Sequence, residues 1–175
     1  MKVEEKPEVD PLTAAVRTVA WLICANKPFY PLYVWWFAGS GTLASTLTAA
    51  SAPLWAALAW FGPRHPLFLR AAAPILGLVD TLLATKLFGA ASGTELFFAP
   101  CLLLAVLSFR VDEARISRAL VAVLYLVFIA AHDRYGAPWH EWPAEQLKSL
   151  MNVNALAVAS LCAFMGWKFV GLRRG

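Results

Sequence analysis

Charge is what this sequence lacks most. Only 15% of its 175 residues are charged, while 60% are hydrophobic. A soluble domain carries roughly 25% charge and roughly 45–50% apolar residues, so an ordinary soluble enzyme and a disordered chain are both excluded. Cysteine is nearly absent. Cys24, Cys101 and Cys162 are isolated and odd in number, which rules out a disulfide framework and a CxxC metal or redox motif. They read as small apolar helix residues. The opening MKVEEKPEVD mixes Lys2 and Lys6 with Glu4, Glu5, Glu8 and Asp10, where a secretory leader needs a basic start and a clean apolar core, so the N-terminus is expected to be retained and cytoplasmic. Gly39-Ser40-Gly41 is followed by no phosphate-binding glycine or Lys-Ser/Thr pair, so no nucleotide loop is expected. No serine, histidine and acid set falls at a common depth, and no catalysis or cofactor is expected.

What is present is a series of apolar runs, at 29–62, 67–88, 94–110, 115–133 and 148–171. The mean hydropathy of +0.61 agrees with them. The expected fold class is all-α, a polytopic integral membrane helix bundle. The run 29–62 would be about 50 Å long as one helix, too long for a core of roughly 30 Å. Divided at Ser51-Ala52-Pro53 it gives two short spans and six in all; undivided, five. Residues 11–26 carry Leu12, Val16, Val19 and Ile23 at helical spacing. They are predicted to form an amphipathic helix in the cytoplasmic interface, stopped by Asn26-Lys27-Pro28. The expected division is thus a cytoplasmic tail and interfacial helix over 1–28, a transmembrane bundle over 29–171, and a short cytoplasmic end at 172–175.

Basic residues choose between five spans and six. Net charge is +4, but the basic residues lie between apolar runs, so they report topology and not nucleic-acid binding. Six spans with both ends inside leave only Lys86, Arg134 and Lys148 outside; five spans divide the basic residues almost evenly. The positive-inside bias favours six, in an inner membrane. Local signals mark other boundaries. Ser92-Gly93-Thr94-Glu95 fits a capping box, Asp112 suits the cap of span 5, and Pro143 suits the first turn of the last helix. Lys86, near the outer end of its span, is expected to snorkel.

Asp80 is the sharpest feature, an ionisable residue inside Leu78-Val79-Asp80-Thr81-Leu82. At that depth a charge costs about 2.5–3.5 kcal/mol on insertion scales, and the default reading is a functional site. The alternative is a protonated carboxyl bonded to a neighbouring helix, with Thr42, Thr46 and Thr48 as partners. His132, Asp133, His140 and Glu141, with Glu145, form a candidate outer-face cluster. Its residue types suit a metal or a pH response, but its spacing matches no closed metal site. Ser40, Ala44, Thr48 and Ala52 repeat every four residues, as do Ala155, Ala159 and Ala163 with Gly166 continuing. Both stripes favour close helix packing, within one chain or across a dimer. Asn152 and Asn154 are expected to bond between helices.

Over residues 29–171 the chain resembles the six-span MASE-type (membrane-associated sensor) modules of bacterial class III adenylate/guanylate cyclases. The resemblance is carried by Gly93-Thr94-Glu95-Leu96-Phe97-Phe98-Ala99-Pro100-Cys101, by Leu107-Ser108-Phe109-Arg110 with Glu113 and Arg115, and by Asn154 opening a last span that ends Phe164-Met165-Gly166-Trp167. In that family the last helix leads into a catalytic domain. Here Arg173-Arg174-Gly175 follows, so the resemblance implies a standalone relative or an isolated input module without the cyclase activity. The expected function is a non-enzymatic sensory or regulatory module that answers to a membrane-borne ligand or partner. Its expected partners are the lipid bilayer and another membrane protein or a second copy, and not nucleic acid. A structural accessory subunit is the alternative. A small transporter stands third, since no internal repeat and no paired broken helices are legible.

Overall fold

The computed structural model describes residues 10–172 and is all-α, with no strand among those residues. Three helices are long and apolar enough to cross a membrane: α5 (Pro66–Phe88), α7 (Ala114–Ala131) and α8 (Ala144–Phe169). Shorter apolar helices complete the chain: α1 (Pro11–Asn26), α2 (Tyr30–Ala38), α3 (Thr42–Ala49), α4 (Ala52–Phe61) and α6 (Phe98–Leu107). The outer surface is studded with large apolar side chains. Trp36, Leu43, Leu126, Leu156 and Trp167 are each more than 60% exposed. Water does not tolerate so much contiguous apolar surface, and lipid does; this is the exterior of a membrane protein.

The first four helices form two bent columns. Between α1 and α2 lies one 3-10 turn, Lys27–Phe29, and the flanking Asn26 and Tyr30 keep right-handed helical angles. Pro28 and Pro31 remove two backbone donors there, so the ladder bends and tightens without reversing. The same holds between α3 and α4, where Ala50 and Ser51 are right-handed and Pro53 follows. The chain reverses instead at Gly39-Ser40-Gly41, where both glycines stand at φ +71°. Only glycine adopts that angle without a Cβ penalty. As a result α2 packs on α3 and α1 packs on α4.

This arrangement corrects one expectation. The turn within 29–62 lies at 39–41 and not at Ser51-Ala52-Pro53, because a proline bends a helix while a left-handed glycine pair turns it. The segment 11–26 is a helix that packs against the rest of the bundle. Asp10 caps it, its carboxylate accepting from Thr13 N at 3.1 Å. Leu12, Val16 and Val19 are at most 2% exposed. They pack with Trp55, Leu58, Leu69, Leu104, Met165 and Phe169 in the main core cluster.

A second cluster, at the other end of the bundle, gathers Val34, Ala38, Phe88, Trp142 and Leu150. A third holds Leu78, Phe98, Cys101 and Leu124 between α5, α6 and α7. Helix α5 is central and touches both bent columns as well as α6 and α7. Helix α7 is peripheral; Leu124 is its one fully buried residue. The two ends of the bundle differ. One carries Asp10, residues 62–65, the 108–113 turn and the end of α8. The other carries the 39–41 turn, residues 89–93 and the 132–143 loop.

Candidate functional site: a buried ion pair at two helix breaks

Asp80 lies on α5 where both bent columns pass it. Its Oδ2 accepts a hydrogen bond from Trp55 Nε1 at 2.6 Å. The same oxygen lies 2.9 Å from the Lys27 ammonium. Lys27 Nζ also donates to the Thr48 carbonyl at 2.9 Å. The two side chains are 14% and 15% exposed, so this is a largely desolvated charge pair with each partner hydrogen-bonded a second time.

The breaks place the groups. Lys27 opens the 3-10 turn before Pro28, and its ammonium reaches the end of α3 in the neighbouring column. Trp55, 1% exposed, stands one turn into α4. A lysine and an aspartate in a low-dielectric interior repel solvent loss together but attract each other strongly. Removing one partner of such a pair strands the other and costs about 3–5 kcal/mol. The arrangement holds a charge pair inside the bundle next to two helix junctions.

Lys27 and Trp55 hold the Asp80 carboxylate. Of the threonines expected as its partners, Thr46 stands at an exposed position of α3, Thr48 Oγ1 donates to the Ser45 carbonyl, and the Thr42 side chain lies outside the described residues. In the sequence Lys27 reads as a basic residue at the cytoplasmic interface, because it sits in Asn26-Lys27-Pro28, a helix stop. The chain continues through that stop, and this carries Lys27 into the bundle. The two bends lie side by side, bridged by the bond from Lys27 to Thr48.

The outer-face cluster divides. His132 Nδ1 lies 3.0 and 3.1 Å from the two Glu95 carboxylate oxygens, and Nε2 lies 3.5 Å from Asp133 Oδ2. The hydrogen bond to Glu95, followed by the Glu95 and Asp133 charges, raises the His132 pKa above its usual 6.5. His140 is elsewhere, its ring 4.4 Å from that of Trp142, and Glu141 is exposed. No group of three metal-ligating side chains is assembled among the described residues. Glu95 therefore binds His132 and does not close the capping box; Ser92 Oγ donates to the Gly89 carbonyl at 2.6 Å. Lys86 reaches the end of its helix, where it donates to the carbonyls of Tyr135 and Ala137 at 2.9 and 2.8 Å and so clamps the 132–143 loop.

The small-residue stripes also differ from each other. Ala44 and Thr48 are buried, and Ser40 Oγ in the turn donates to Gln146 Oε1 at 2.8 Å. Ala155, Ala159 and Ala163 face outward, and a Cβ at Gly166 would meet nothing within 4 Å. Asn154 is fully buried and joins three elements. It accepts from Tyr30 Oη at 3.1 Å and donates to the Ser92 carbonyl at 2.9 Å.

One assembly was not legible in the sequence. Arg70, 4% exposed, donates to Glu113 Oε1 at 2.7 Å and lies 3.8 Å from Asp10. Arg110 Nη2 donates to Asp10 Oδ1 at 2.7 Å, and Arg110 N donates to Glu113 Oε2 at 2.9 Å. Glu113, not Asp112, is the N-cap residue of α7, and its carboxylate is committed to the two arginines. Burial works to raise the Asp10 carboxyl, but the bonds from Thr13 and Arg110 outweigh it and hold the pKa down to about 2. The only sequence signal was the spacing of unlike charges around residues 110–113.

Comparison with protein families, curated proteins and solved structures gave no match to this chain.

Proposed function

We propose that the chain is a non-enzymatic sensory or regulatory module of the inner membrane, with six helical columns and both ends cytoplasmic. The observation that carries the reading is the Lys27–Asp80 pair at the junction of two bent columns. A buried charge pair beside helix breaks is an element with two packings, formed and broken, and a ligand shifts such an element by binding one of them better. The signal is a membrane-borne ligand or partner, and the output is the position of α8. The resemblance to MASE-type modules points to the same class. In this topology the 39–41, 89–93 and 132–143 segments are external, and the end that carries Arg64, Arg70, Arg110, Arg115, Arg118 and Lys168 is internal, as the positive-inside bias prefers.

The test is the distance between spin labels at Phe37 and Val170, both exposed, in nanodiscs. Two populations are expected, with a changed ratio in folded Asp80→Asn. One unchanged distance in both proteins would remove the switch.

Two other readings each have one supporting observation. The outward-facing Ala155, Ala159 and Ala163 suit a structural accessory subunit, and a stoichiometric protein partner in native mass spectrometry would favour it. The adjacent helix breaks suit a small transporter, because such breaks hold substrates in transporters. Uptake into proteoliposomes that is lost in Asp80→Asn would favour that one.

A further inference from the structure

At the end of the bundle that carries Asp10, a groove of about 390 Å³ opens beside the start of α7. It is lined by Arg110, Val111, Ala114, Ser117 and Arg118. We propose that this groove binds the phosphate headgroup of an anionic phospholipid, whose acyl chain then lies along α7.

The charges favour a phosphate. Arg110 is 53% exposed and shares one carboxylate oxygen of Asp10. Glu113 is already occupied by Arg70 and by the Arg110 backbone. Arg118 has no carboxylate within ion-pair distance among the described residues. Arg115 is exposed on the same turn, and Asp112 is the one carboxylate of the turn not engaged in an ion pair among those residues. Cations therefore exceed free anions around the groove. Guanidinium groups bind phosphate oxygens in pairs and are weakly hydrated, which suits them to a site half in water and half in lipid.

The helix surface favours a lipid over a free anion. From Arg118 the exposed residues Ala122, Tyr125, Leu126 and Ile129 follow at helical spacing. They form an apolar strip about 16 Å long, close to one leaflet of the hydrocarbon core. Tyr125, Leu126 and Ile129 are 54%, 64% and 52% exposed, uncovered by any other helix among the described residues. A headgroup held by Arg110 and Arg118 thus has an acyl path of the right length directly beneath it. Anionic lipid at this position would also complete the surface of the least buried helix. The proposal needs the chain to lie in a membrane but does not depend on the Lys27–Asp80 switch.

The test uses the full chain in nanodiscs holding equal amounts of phosphatidylglycerol and phosphatidylcholine with identical acyl chains. Lipids retained after release are counted by native mass spectrometry. The wild type is expected to keep phosphatidylglycerol in preference by at least tenfold. Arg118→Gln, at an exposed position and therefore compatible with folding, is expected to cut that preference about tenfold. Arg134→Gln, at the opposite end, is expected to leave it unchanged. Equal retention of both lipids by the wild type, or an unaltered preference in Arg118→Gln, overturns the proposal. Displacement of the lipid by millimolar inorganic phosphate overturns it too, since the groove would then be a free-anion site.

Discussion

Asp80 and Lys27 each neutralise what the other would cost. Asp80→Asn leaves an ammonium in the bundle, and Lys27→Gln leaves a carboxylate. Each single change is expected to destabilise the folded chain by about 3–5 kcal/mol. The double variant Lys27→Gln with Asp80→Asn keeps the shapes, removes both charges and is expected to recover most of that loss. Denaturant unfolding of the four proteins in one detergent, read as a double-mutant cycle, checks this. Additive single effects would mean that the pair is not coupled. His132 behaves differently because it is half exposed. Its folded pKa is raised, so its contribution is fully present below about 6.5 and is lost as pH rises through the folded value. Hydrogen exchange over residues 128–135 is expected to quicken across that alkaline step, and His132→Gln is expected to abolish the step. Glu95 and Asp133 are the charged groups facing the ring. Asp10 shows the opposite sign. Its stabilising effect is complete above about 4 and disappears as pH falls toward about 2. Melting between pH 5 and pH 2 is expected to be less acid-sensitive in Asp10→Asn than in the wild type.

At the scale of elements, the 39–41 turn decides how the first half of the chain is arranged. Gly39 and Gly41 share the same positive φ but not the same surroundings. A Cβ at Gly39 meets open space, while one at Gly41 runs into the Trp142 indole. Gly39→Ala is therefore expected to cost about 1–2 kcal/mol, the backbone term alone. Gly41→Ala is expected to cost clearly more, because Trp142 must leave its stack on Phe88, where the ring centroids are 5.3 Å apart. Thermal melts of the two variants compare the terms directly. The prolines do the converse job. Pro28, Pro31 and Pro53 lie where their columns bend, and the helical course continues past them.

For the molecule as a whole, the proposed six-span topology has a simple consequence for access. A cysteine placed at Ser40 is expected to react with an impermeant maleimide added from outside, in a background lacking the native cysteines. One placed at Ser51 is expected to stay unlabelled, since Ser51 is 8% exposed and sits mid-column. Labelling at Ser51 and protection at Ser40 would restore the hairpin read from the sequence. The bundle is also tied at both ends by polar contacts: Asp10, Arg70, Arg110 and Glu113 at one, Lys86, Glu95 and His132 at the other. Between them, α7 is held mainly by apolar contact with α6, which leaves its outer strip for lipid.

Composition and hydrophobic periodicity were enough to read an all-α chain built for lipid. They located α5, α7 and α8 within a few residues, because a helix that must satisfy its own backbone in an apolar solvent writes its length into the sequence. They also singled out Asp80, since a charge inside such a run is conspicuous wherever its partner lies. The partner itself was settled only by the fold. Lys27 looks terminal in the chain and becomes internal because the helix bends at Pro28 instead of stopping. The reversal at 39–41, the outward aim of Ala155 and Ala159, and the union of Asp10 with Arg70 and Arg110 all depend on which helix lies beside which. Those choices come from side-chain packing between residues far apart in sequence, and a local pattern carries no record of them.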